Sequence, residues 1–69
     1  MRLNLKQIEV FRAIMLTGSI SGAAKLLHVS QPAVSRLIGY TEQRLGLSLF
    51  ERIKGRLYPT PEARHLFIE

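Results

Sequence analysis

The stretch "SISGAAKLLHVSQPAVSRLI", Ser19 to Ile38, decides how this chain is read. Two short helical runs flank "HVS". The first puts Ile20, Ala23, Ala24 and Leu27 on one face, and its small alanines let another helix come close. Ser19 or Ser21 can cap this run, which ends near His28. Ser30 caps the second run, with Pro32 in the first turn, where proline has no amide to lose. Val34, Ile38, Thr41 and Leu45 form its packing face, and Gly46 ends it. His28 to Ser30 is then the tight connection of a helix-turn-helix. The second helix also carries Gln31, Ser35 and Arg36 in its first turns. A helix that only packs does not need them, so this one is predicted to touch something.

Towards the N-terminus, Leu5, Ile8, Phe11 and Met15 share a helical face, predicting a helix over about Leu5 to Thr17. Asn4 and Gln7 suit a capping box, Leu3 and Ile8 a hydrophobic staple, and Gly18 the left-handed stop. Beyond Gly46, "LSLFERIKGRLYPT" reads as two extended segments, about 48–52 and 56–59. "IKG" separates them, with Gly55 supplying turn geometry. Leu49 and Phe50 are read as core anchors for this hairpin. Thr60, Pro61 and Glu62 open a further helix as cap, first-turn proline and dipole-favoured acid. In it Ala63, Leu66 and Phe67 offer an exposed apolar face for a second copy. The predicted fold is mainly α with a small β-hairpin wing, a winged helix-turn-helix. It occupies residues 1–60, with the helix-turn-helix at about 19–46 and the wing at about 47–60.

Composition narrows the partners. Sixty-nine residues, 46% of them hydrophobic, suggest one small domain rather than a disordered tail. The chain has no cysteine, which removes disulfides and thiolate metal sites and fits a reducing compartment. No apolar run approaches the roughly 20 residues of a membrane span, and the N-terminus lacks a signal-peptide apolar region. A cytoplasmic protein without a membrane partner is expected. Ten Lys and Arg against five Asp and Glu leave a charge of +5, which points to a polyanion, most commonly nucleic acid. "LFIE" ends inside an apolar-periodic run without a helix stop, so the chain reads as a piece of something longer.

For a helix entering the major groove, base edges meet its N-terminal residues. Gln31 can bind adenine through two hydrogen bonds, Arg36 can meet guanine or phosphate, and the Pro32 ring can lie on a thymine methyl. Ser30 and Ser35, with the amides at the helix start, can hold phosphate oxygens. Singly, each is an ordinary helix starter or a solvated side chain. Together, between a short helix and a basic hairpin, they favour a reading face. In "RIKGR", Arg52, Lys54 and Arg56 can follow the backbone or enter the minor groove, though a solvated cationic turn would look the same. Tyr40 and Tyr58 are read as packing or surface residues rather than stacking platforms. Catalysis finds little support: His28 and His65 lack ligand or nucleophile patterns, and the five carboxylates form no acid–base pair. No enzyme activity, cofactor or metal is expected.

"QIEVFRAIMLTGSISGAAKLLHVSQPAVSRLIGYTEQRLGLSLFER" resembles the N-terminal domain of the LysR-type bacterial transcriptional regulators, over about residues 3–66. "GSISGAAKLLHVSQPAVSR" and "LGLSLFER" carry the likeness. The resemblance implies a dimeric regulator that binds promoter or operator DNA sequence-specifically. It implies that Gln31, Pro32, Ser35 and Arg36 face the major groove, that Arg52 lies near the minor groove, and that the Ser21 hydroxyl approaches phosphate. Residues 61–69 would begin the linker helix that pairs subunits into a homodimer or higher oligomer. A small-molecule effector would bind only through a C-terminal domain absent from this chain. Gly22, Leu37, Gly39, Thr41, Pro59 and Ala63 depart from the family's common residues, Leu37 in a way that suggests contact with another chain. Two other readings are a winged-helix module that binds protein through Leu37 and Tyr40, and a nonspecific architectural DNA binder.

Overall fold

A computed structural model describes residues 3–54 and 56–68, Ile68 by its backbone alone. Along the chain run α1 (Leu5–Thr17), α2 (Ile20–Leu27), α3 (Gln31–Leu45), β1 (Phe50–Ile53), β2 (Arg56–Pro59) and α4 (Pro61–Ile68).

Local chemistry sets the helix ends. Asn4 and Gln7 close a reciprocal capping box, with side-chain bonds of 2.8 and 2.9 Å to each other's backbone amides. Ser19, not Ser21, caps α2, accepting from the Gly22 amide at 2.8 Å. Ser30 caps α3 through the Ala33 amide. Gly18 and Gly46 end α1 and α3 at φ of 79° and 71°, the left-handed region glycine enters without a Cβ penalty. His28 takes that conformation at the end of α2, and the Val29 amide reaches back to the Ala24 carbonyl.

Helix α1 packs on α2 and α3, α2 packs on α3, and α4 leans on β2. The core between them is Val10, Phe11, Ala13, Ile14, Ala23, Ala24, Val34, Ile38, Leu49 and Ala63. Phe11 joins three parts of the fold. Its ring lies 5.9 Å from that of Phe50 at the wing root and 6.3 Å, edge-on, from that of Phe67 on α4. Among the described residues, the buried polar side chains are all hydrogen-bonded: Gln7 in its box, Thr41 to the Leu37 carbonyl at 2.8 Å, and Thr60 at the wing exit.

Several details differ from the sequence expectation. Strand β1 starts two residues later than position 48 and includes Ile53, which pairs with Arg56. The reason is a bend at the wing root. The Glu42 carboxylate accepts from the Leu49 and Phe50 amides at 2.8 and 3.2 Å, and the Thr60 hydroxyl donates to the Ser48 carbonyl at 2.8 Å. The Leu49 amide and the Ser48 carbonyl therefore bond away from the ladder, and only the Leu49 carbonyl still meets the opposite strand's end, accepting from the Thr60 amide at 2.9 Å. Lys54 takes φ of 52° at the tip, and the turn residue Gly55 lies outside the described residues. Ala63 is wholly buried rather than part of an outward face, because the Thr60 cap turns the first turn of α4 onto the core. Leu37 is half-buried against the same core.

Candidate nucleic-acid interface

The start of α3 is aimed outward by its own periodicity. Val34, Ile38 and Thr41 are buried, while Pro32, Arg36, Gly39 and Gln43 follow at four-, three- and four-residue spacing along the exposed side. Gln31 and Ser35 flank that stripe, one turn apart, on the side nearer the wing. All nine residues expected at a nucleic-acid surface are solvent-exposed: Ser21, Ser30, Gln31, Pro32, Ser35, Arg36, Arg52, Lys54 and Arg56.

Five of them converge. Ser21 of α2, Gln31, Pro32 and Ser35 of α3, and Arg52 of β1 line one open hollow of about 470 Å³. Ser19, Ile20 and Leu57 complete its wall, and no carboxylate is among the lining residues. Arg52 reaches the hollow because of strand register. Arg52 pairs with Leu57 and Phe50 with Pro59, so these four side chains share the pleat face turned to the helices. Arg56 pairs with Ile53 on the opposite face, and Lys54 sits at the tip. Thus the three wing cations point in different directions, and one joins the start of α3.

Ser30 and Arg36 stand outside the hollow. Ser30 is committed as an acceptor to the Ala33 amide, which leaves its hydroxyl proton free for an external oxygen. Arg36 projects one turn beyond Pro32 on the exposed stripe. Sequence reasoning passed over Ser19 and Leu57. Ser19 carried only a cap signal, and Leu57 gave none, since its place depends on being the cross-strand partner of Arg52.

The arrangement combines amide and hydroxyl hydrogen-bonding groups, an apolar ring and a guanidinium on a surface with net positive chemistry. Such a set meets base edges and phosphates together.

Comparison with known proteins places the chain in a family. Residues 5–64 match the family described as bacterial regulatory helix-turn-helix protein, lysR family. The chain is 60% identical over 67 residues to the HTH-type transcriptional regulator DgcR of a Pseudoalteromonas species, covering 97% of this chain and 23% of that protein. It is 53% identical over 66 residues to the transcriptional activator protein LysR of Escherichia coli K12, covering 96% of this chain and 21% of that protein. It therefore spans less than a quarter of the length of these curated relatives. A crystal structure of a CbnR_DBD–DNA complex superposes with a TM-score of 0.90 at 32% identity, covering 96% of this chain and 76% of that one. The described fold is thus a winged helix-turn-helix, and the chain belongs to the lysR family of bacterial regulatory helix-turn-helix proteins.

Proposed function

We propose that this chain is the DNA-reading part of a transcription regulator and binds double-stranded promoter or operator DNA sequence-specifically. The observation that carries this reading is the hollow where the start of α3 meets Arg52 of the wing. In this role Gln31 pairs with an adenine edge, Pro32 covers a thymine methyl, and Ser35 contacts base or phosphate. Arg36 takes guanine or phosphate farther along the groove. Arg52 enters the adjoining minor groove, where narrow width concentrates negative potential. Ser21 and Ser30 hold phosphate oxygens, and Lys54 and Arg56 attract the backbone without reading it. The likeness to a DNA-complexed neighbour supports the same docking.

The whole regulator acts as a homodimer or higher oligomer through the helix that α4 begins, and works in the cytoplasm without enzymatic chemistry. Its effector binds in a domain outside this chain. Relatives several times longer than the matched segment support that organisation. Among the described residues, no helix is long and apolar enough to cross a membrane.

Selection of bound sites from random duplex DNA tests the proposal. A recovered consensus, bound at least about a thousandfold tighter than scrambled DNA, is the expected result. Equal affinity for all duplexes would instead identify an architectural binder, and no affinity would leave a protein-interaction module.

A further inference from the structure

The wing is joined to α3 by one acidic side chain. Glu42 lies in the last turn of α3, where the partial negative charge of the helix end disfavours a carboxylate. It is nevertheless half-buried there, and one oxygen accepts from the amides of Leu49 and Phe50 at 2.8 and 3.2 Å. Those amides begin the wing. Phe50 and Arg52 share a face of β1, two residues apart, so about 7 Å of strand separates the anchored amide from the guanidinium-bearing backbone. A tilt of about 15° at the root would carry the Arg52 backbone roughly 2 Å. That displacement would take its guanidinium out of register with Gln31 across the hollow.

We propose that Glu42 is a positioning residue for DNA recognition: it sets the wing's angle to α3 and so places Arg52 beside the reading face. The inference rests on the DNA-binding function proposed above. Thr60 holds the other end of the wing by bonding to Ser48 and the Leu49 carbonyl, but it ties wing to α4. Glu42 alone, among the hydrogen-bonding side chains described, connects the wing to the helix that carries Gln31 and Ser35.

The test combines a DNA-free and a DNA-bound measurement on this chain with Glu42→Gln, Arg52→Ala and both together. Glu42→Gln keeps the side chain's shape and one weaker acceptor; Glu42→Asp, one methylene shorter, serves if the amide variant does not fold by circular dichroism. Amide residual dipolar couplings in the wing should change relative to those of α3. On DNA, the salt slope should fall by about one unit, the same change expected for Arg52→Ala. The double variant should lose no more affinity than the worse single one, because Glu42 acts through Arg52. The preference at the base pair met by Gln31 should persist. Unchanged couplings, or losses that multiply in the double variant, would overturn the proposal. If the unaltered chain binds no duplex, the DNA-binding reading fails, and the couplings still decide whether Glu42 sets the wing's angle.

Discussion

At Gly39, on the exposed side of α3, an added Cβ would meet no heavy atom within 4 Å. A glycine there costs the helix about 1 kcal/mol relative to alanine with no packing return inside the chain. Gly39→Ala should therefore raise stability by about 0.5–1 kcal/mol and the melting temperature by a few degrees, read by thermal denaturation. Gly22 is the opposite case. An added Cβ would lie 2.7 Å from Thr17 Cβ, and Thr17 is held by its bond to the Ala13 carbonyl at 2.7 Å. Gly22→Ala should lower stability by about 1–3 kcal/mol in the same assay. The residues proposed for recognition separate in a different measurement. Gln31→Ala should cost roughly 1–3 kcal/mol on the preferred duplex and flatten the preference at about one base pair. Lys54→Ala should weaken preferred and scrambled duplexes alike and reduce the salt slope by about one unit. Titrations of both duplexes across a salt series distinguish them. Equal losses on both duplexes for Gln31→Ala would remove α3 as the reader.

Between elements, stability depends on two seams. The α2–α3 seam is close because Ala23 and Ala24 are buried where α2 meets the core. Replacing Ala24 by Phe should overpack it at a cost of about 1–3 kcal/mol, a large share of a small domain's stability. An unchanged melting temperature would mean that the two helices do not pack there. The second seam joins the wing to α4. The buried Thr60 hydroxyl donates to the Ser48 carbonyl and accepts from the Ala63 amide at 3.2 Å. Thr60→Val keeps the side chain's shape but leaves these groups without that partner, which should cost about 1–3 kcal/mol. Hydrogen exchange should show Ala63 and the start of α4 losing protection before α1 does.

For the molecule as a whole, the large apolar side chains that α4 leaves to solvent, among the described residues, are Leu66 and Phe67, exposed by 43% and 40%. With Ala63 buried, a second copy would have to meet this narrower pair, together with the apolar hollow that both residues line beside Ile8 and Leu45. Eight helical residues are few for a stable helix–helix dimer. The 69-residue chain is therefore expected to be largely monomeric at micromolar concentration, and a version with α4 extended by two or three turns to dimerise. Analytical ultracentrifugation of both forms checks this; an extended form that stays monomeric at high micromolar concentration would refute it.

The amino-acid sequence by itself determined where α1 and α3 begin and end, because caps and stops are made within about four positions. Asn4 with Gln7, Ser30 with Ala33, and the glycines at 18 and 46 are such local arrangements. Helical periodicity likewise determined the packing faces of α2 and α3, and with them the exposure of Gln31, Ser35 and Arg36. Only the tertiary structure decided what depends on distant partners. Arg52, rather than Arg56, turns to α3 because the register pairs it with Leu57. The late start of β1 follows from Glu42, seven residues before Leu49, and from Thr60, twelve residues after Ser48. The burial of Ala63 and the half-burial of Leu37 follow from where the completed core lies. Local hydrogen bonds and periodicity leave a mark in neighbouring residues, whereas strand register and core position emerge only when separate elements compete for the same buried space.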